Sequence, residues 1–321
     1  MNTIYFDSDV CDEVRRKKLY EGQIFVFSPC SSTIALCNFA REMIEEAFGS
    51  LDPRTAQYHM PVEEYVAIAS KLKPQFIHHP RTKSLIQNIL KEFECHPQRT
   101  YLDVPRLRTC TSDGYLTNGV GYAFHPHRDT WYSAPMSQLN WWLPIYDIES
   151  ESAMAFHPKY WNEPVENDSK CFNYYKYNQT GRKNASQHIK SDTRIQPKPQ
   201  QTLELDPQVR VVCSVGGVVI FSGAHLHSTV PNTSGLTRYS IDFRTVNIDD
   251  VIARGGAPNI DSAPVGTSLR DFMRCVDLIR PSQDILDLYE TEESLAEDGM
   301  LIYQPAENEL SQKSLSASVS R

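Results

Sequence analysis

Between Tyr101 and Asn247 the chain is cut into short β-branched and aromatic runs separated by turn residues, and this restricts the fold more than anything else in the sequence. Short strands spaced this closely predict an antiparallel all-β unit. The expected strands lie near Leu139–Tyr146, Met154–His157, Val209–Val215, Val218–Ser222 and Arg238–Val246. Gly216-Gly217, between two of them, predicts a tight hairpin connection. Arg238 opens an alternating run, Tyr239-Ser240-Ile241-Asp242-Phe243, with the period of a strand that has unlike faces.

The flanks read differently. The first hundred residues are mixed and mostly helical. Ile24–Phe27 predicts a strand, and Ser32 is placed to cap a helix carrying Ile34, Leu36, Ala40, Met43, Ile44 and Phe48, stopped by Gly49. Further helices are expected from Pro61 to Leu72 and from Thr82 to Phe93. The stretch 159–201 is polar, aromatic and proline-spotted with no sustained period, which predicts a loop or lid. An acidic helix is expected near Gln283–Glu297. The predicted organisation is a helical region 1–100 packed on a β core 101–250 with its insert 159–201, an extension 251–310, and a serine-rich disordered tail 311–321.

Composition narrows the function classes. With 321 residues, 40% hydrophobic and 22% charged, the chain can bury a sizeable core without disulfide staples. Lys and Arg number 32 against 40 Asp and Glu, and the net charge of -8 disfavours nucleic acid and anionic membrane as general partners. The opening MNTIYFDSDVCDEVRRKK is charged where a leader or membrane span needs an apolar run, so a cytoplasmic protein is expected. Eight scattered cysteines with no C-x-x-C pair predict free thiols in a reducing compartment. Nothing in the sequence sets the oligomeric state.

The densest chemistry lies in Phe124-His125-Pro126-His127-Arg128-Asp129-Thr130-Trp131. On an extended strand His127 and Asp129 leave the same face and can grip one metal ion. About a hundred residues on, the apolar run Val218–Phe221 leads into His225 and His227. Two histidines and one carboxylate make the facial set of non-haem Fe(II) oxygenases, which leaves three adjacent coordination positions open. Arg238, eleven residues after His227, can hold a carboxylate through two parallel hydrogen bonds. Rivals stand beside each choice: His125 for His127, His225 on the same strand face as His227, and Arg244 on the same face as Arg238. Trp131 and Tyr132 read either as walls of a substrate pocket or as a surface turn.

These residues carry a resemblance. His127-x-Asp129, His227 followed by Ser-Thr-Val-Pro-Asn, and Arg238 at its spacing resemble the 2-oxoglutarate-dependent Fe(II) dioxygenases, in particular their phytanoyl-CoA dioxygenase-like branch, over roughly Tyr122 to Val246. The resemblance implies a mainly β protein with flanking helices, built on a double-stranded β-helix (a cupin-like jelly roll). It further implies Fe(II) held by His127, Asp129 and His227, with 2-oxoglutarate and O2 as cosubstrates and the distal carboxylate on Arg238 and Thr229. The expected reaction is oxidation of a C–H bond, hydroxylation by default, with release of succinate and CO2. Trp141 and Trp142 must point to opposite faces of their strand, and Trp142 joins Trp131 and Tyr132 as a candidate pocket residue. A cupin-like metal enzyme without 2-oxoglutarate would have no use for Arg238, and a noncatalytic jelly roll would need none of this set.

The insert bears on the substrate. From Lys159 to Lys198 it has eight basic residues against four acids, a local excess of +4 on an acidic chain. With its tyrosines this suits a lid, with Arg182 and Lys183 at its tip, closing over a small polar substrate that is anionic or presented by an acidic carrier protein.

Overall fold

The computed structural model describes residues 3–121, 125–181, 194 and 196–290. Its strands in chain order are β1 (Ile4–Phe6), β2 (Ile24–Phe27), β3 (Thr100–Leu102), β4 (Arg106–Cys110), β5 (Leu139–Pro144), β6 (Met154–Phe156), β7 (Val209–Val211), β8 (Val218–Ser222), β9 (His227–Thr229), β10 (Arg238–Asn247) and β11 (Met273–Arg274). The main sheet runs β1-β2-β8-β5-β10-β3-β11, with β4 also paired to β10, and faces a small sheet β7-β6-β9. These are the two walls of a double-stranded β-helix. Among the described residues no helix is long and apolar enough to cross a membrane.

Alternation along the main sheet gives each of its faces a separate job. Leu139, Trp141 and Leu143 of β5, Val218 and Ile220 of β8, and Tyr239, Ile241 and Phe243 of β10 all point outward. That face is covered by α2 (Ser31–Phe48), α3 (Val62–His78) and α4 (Pro80–Glu92), which follow the short α1 (Asp12–Tyr20). Leu36, Phe39 and Ile44 of α2, Leu72 and Phe76 of α3, and Ile86 and Ile89 of α4 fill the layer between. The opposite face puts Trp142, Val219 and Phe221 against Phe156 of the small sheet. The two neighbouring tryptophans are thus divided as expected, Trp142 inside the roll and Trp141 under the helices.

Several expectations are corrected. Gly216-Gly217 does not close a hairpin: β7 pairs with β6 in the small sheet and β8 with β2 and β5 in the main one, so the glycines carry the chain between sheets. Gly216 takes φ 77°, and Gly217 sits where a Cβ would lie 2.9 Å from the Ser214 carbonyl oxygen. The cap of α2 is Cys30 rather than Ser32; its sulfur and Thr33 form the capping pair, while Gly49 ends the helix at φ 63° as expected. Pro61 caps α3 from outside, and the helix runs past Leu72 and through Pro74 to His78. The 1–100 region is no purely external layer, because β2 pairs with β8 as a strand of the main sheet. The acidic helix is a single turn, Gln283–Leu286, and residues 291–321 lie outside the described ones.

The described part of the insert packs most of its aromatics inward. Tyr160, Trp161, Phe172, Tyr174 and Tyr175 are buried. The Tyr174 and Tyr175 hydroxyls donate to Asp271 and Glu290 of the C-terminal extension, 2.5 and 2.6 Å away. Arg182 and Lys183 lie outside the described residues.

Candidate metal centre

His127 and His227 reach one place because their backbones pair. Each N–H donates to the other's carbonyl at 3.0 Å, an isolated antiparallel bridge that sets the two rings 4.4 Å apart, centroid to centroid. Each Nδ1 donates to a carbonyl two residues back, His127 to His125 at 2.8 Å and His227 to His225 at 2.9 Å. This holds each Nδ1 against the backbone and turns each Nε2 toward Asp129. Asp129 follows on a single helical turn, tied by its N–H to the Gly223 carbonyl at 2.8 Å. Its Oδ1 lies 3.5 Å from Nε2 of His127 and 4.0 Å from Nε2 of His227. One ligand atom from each of the three residues falls within a 4.8 Å cluster.

The other oxygen of Asp129 is occupied. Oδ2 accepts from Gln138 Nε2 and Asn140 Nδ2, both at 2.9 Å, and faces Arg244 Nε at 3.5 Å. Burial would raise this carboxyl, but Arg244 and the two imidazoles outweigh it and hold the group well below the usual carboxylate range. Desolvation and the His127 ring push His227 down to about 3, so its imidazole is neutral and able to ligate. The donor set of two imidazoles and one carboxylate oxygen fits a facial Fe(II) site.

These groups line a cavity of about 490 Å³. Arg238 reaches it from the start of β10, with its guanidinium 5.7 Å from the Trp142 ring centre. Its Nη1 donates to the Ser152 carbonyl at 2.7 Å, while its buried Nε has no partner among the described residues. An orphaned buried donor costs about 1–3 kcal/mol, so the site fits an anion yet to be bound. Thr229 lines the same cavity from β9. Tyr132, edge-on to His127 at 5.5 Å between ring centres, and Trp142 are also at its wall.

Other candidates lie elsewhere. Trp131 is not a pocket wall: it is fully buried, packs with Tyr160, Val165 and Leu226, and donates to Asp261 at 2.8 Å. His225 does not share a strand face with His227, because it precedes β9 in a turn. Its Nε2 donates to the Gly22 carbonyl at 3.0 Å, and its ring lies on Trp161. Nε2 of His125 is engaged by the Pro197 carbonyl at 2.7 Å. Arg244 is committed to Asp103 and Asp129.

Sequence reasoning missed the supports. Gln138 and Asn140 stand four and two residues before Trp142, so period-2 spacing could have placed them on its face. Arg128, between the two proximal ligands, is buried and spans Asp261, Ala224, Tyr160 and Glu163. No sequence signal marks Asp261, which anchors both Arg128 and Trp131 from more than a hundred residues away.

Three comparisons with known proteins bear on this site. No protein of curated function matches the chain. Among solved structures, EvdO2 from Micromonospora carbonacea var. aurantiaca is similar at 15% identity and TM-score 0.34, over 51% of this chain and 59% of that one. The same protein complexed with 2-oxoglutarate matches at 17% identity and TM-score 0.34, over 54% and 62%. The epimerase SnoN in complex with Fe3+, alpha ketoglutarate and nogalamycin RO matches at 14% identity and TM-score 0.38, over 80% and 98%. This chain therefore spans less than two thirds of EvdO2 and nearly all of SnoN. The sequence model of the Phytanoyl-CoA dioxygenase (PhyH) family matches residues 35–240, well over half of the chain and all of the span from His127 to Arg238. The chain belongs to the phytanoyl-CoA dioxygenase family of non-haem iron, 2-oxoglutarate-dependent enzymes.

Proposed function

We propose that this enzyme hydroxylates an unactivated C–H bond of a small polar metabolite, consuming 2-oxoglutarate and O2 and releasing succinate and CO2. The observation that carries this reading is the convergence of His127, Asp129 and His227 in the cavity that Arg238 also lines. His127 Nε2, His227 Nε2 and Asp129 Oδ1 are the metal ligands. When bound, Fe(II) with 2-oxoglutarate and O2 supplies the oxidising power for C–H cleavage.

The protein's part is placement. Gln138, Asn140 and Arg244 occupy Asp129 Oδ2, so this carboxylate offers the metal Oδ1 alone. Arg238, with the Thr229 hydroxyl nearby, holds the distal carboxylate of 2-oxoglutarate. Tyr132, Trp142, Phe172 and Phe221 give the cavity apolar walls that exclude water. Basic side chains lining the cavity support a substrate with negative charge, free or on a carrier protein. A cytoplasmic setting is supported by eight free thiols.

The test is iron content of the anaerobically purified protein, with succinate release from 2-oxoglutarate measured beside it. Iron near one per chain and succinate formed only with O2 are expected. Iron without succinate would favour a cupin-like enzyme that does not use 2-oxoglutarate, and neither would favour a noncatalytic jelly roll.

A further inference from the structure

The interior face of the main sheet is unlike an ordinary barrel lining. Arg106 and Arg108 of β4 stand opposite Asp242 and Ser240 of β10, and Arg238 and Arg244 lie on the same face of β10. Lys73 enters the cavity beside them from α3, its ammonium donating to the Val120 carbonyl. Five cations of α3, β4 and β10 thus meet three carboxylates, Asp103, Asp129 and Asp242. Fe(II) and the 2-oxoglutarate dianion would cancel each other, leaving a surplus of positive charge.

That surplus has a location. Arg238 is assigned to 2-oxoglutarate, and Arg244 lies between Asp103 and Asp129. Asp103 is shared between Arg106 and Arg244, at 2.6 and 3.2 Å, so neither guanidinium has a carboxylate to itself. The buried Nη2 of Arg106 has no hydrogen-bond partner among the described residues. Asp242 is taken by Arg108 through both oxygens, at 2.5 and 3.1 Å. Burial first, and then the Arg108 guanidinium, push the Lys73 ammonium down to about 7 against a weaker pull from Asp242.

We propose that Lys73, Arg106 and Arg108 form an oxyanion subsite, which binds a carboxylate or phosphate group of the substrate and so holds its reacting carbon at the metal end of the cavity. This rests on the oxygenase reading above, in which Arg238 serves the cosubstrate. The subsite sets specificity by charge: a neutral analogue of the substrate would leave the desolvated cations uncompensated.

The test uses the iron-loaded protein kept anaerobic, so that 2-oxoglutarate binds without turnover. Calorimetric titration with 2-oxoglutarate comes first, and failure to bind overturns the oxygenase reading itself. With 2-oxoglutarate saturating and Arg238 occupied, sulfate is then titrated at low ionic strength, with acetate in a parallel arm. Sulfate tighter than acetate indicates a phosphate-type group, and the reverse a carboxylate. The favoured anion should bind the Lys73→Met and Arg106→Met proteins at least tenfold more weakly, with Lys73→Arg restoring affinity. Lys17→Met, which removes an exposed charge on α1, should bind as wild type does. No anion binding to the wild type, or equal affinity in wild type, Lys73→Met and Arg106→Met, overturns the subsite while the 2-oxoglutarate result stands. Thermal unfolding of each variant separates lost binding from lost fold, and a misfolded Arg106→Met leaves the decision to the Lys73 pair.

Discussion

The two faces of the main sheet make opposite use of the same strands. Along β10 the residues Tyr239, Ile241 and Phe243 enter a continuous apolar layer beneath α2, α3 and α4. The alternate residues Arg238, Asp242 and Arg244 line the cavity with charge. The outward face stabilises by removing apolar surface from water, at about 25 cal/mol per Å². Its neighbour does the reverse, holding desolvated guanidinium groups whose burial is favourable only when anions answer them. A one-residue slip in register would exchange the two, so the helical layer also secures the direction in which Arg238 points.

This contrast can be broken first at the metal. Asp129→Ala or His227→Ala removes one of three protein ligands, and iron content and turnover should fall to background while the fold persists. His225→Ala should keep its iron, because that ring serves the Gly22 carbonyl. Iron lost from His225→Ala but kept in His227→Ala would reverse the ligand assignment.

Neighbours on β10 sharpen the comparison. Ile241→Ala, on the helix side and fully buried, should cost about 2–5 kcal/mol of stability in chemical denaturation. Its affinity for 2-oxoglutarate, measured well below the melting temperature, should match wild type. Arg238→Ala should do the opposite, weakening 2-oxoglutarate binding by about 2–5 kcal/mol with iron retained. If Arg244→Ala loses 2-oxoglutarate while Arg238→Ala binds it normally, the clamp has been assigned to the wrong arginine.

A smaller effect is expected one shell out. Asn140→Ala removes one of two amide donors to Asp129 Oδ2 and should weaken iron about 10–100-fold, read by competition with a chelator. Unchanged iron affinity would mean that Gln138 and Arg244 hold the carboxylate without it.

Much of the site was legible because its signals are local. His127 and Asp129 are close in sequence and meet in space, although Asp129 opens a helical turn instead of continuing the strand on which their shared face was expected, and the β10 alternation separates Arg238 from the core whatever the strand packs against. Helices α2 to α4 were recognisable for the same reason, since their apolar faces repeat within a few residues. Where expectation failed, the deciding contact was distant in sequence. Gly216-Gly217 looked like a hairpin until β7 and β8 were assigned to different sheets. Trp131, readable from sequence as a pocket wall or as a surface turn, is neither, because it is buried with its N–H on Asp261.

The sequence by itself determined which residue types could hold a metal and which strand faces would carry charge, because side-chain direction alternates along any extended chain. Only the tertiary structure shows how differently His225 and His227, and Arg238 and Arg244, are surrounded. Each pair has matching spacing and chemistry, and the fold engages one member of each: His225 Nε2 serves the Gly22 carbonyl, though its buried Nδ1 has no partner among the described residues, and Arg244 lies between Asp103 and Asp129. An atom whose hydrogen bond is made by the fold has little left for a ligand, and which atoms those are depends on residues the chain brings together only when it folds.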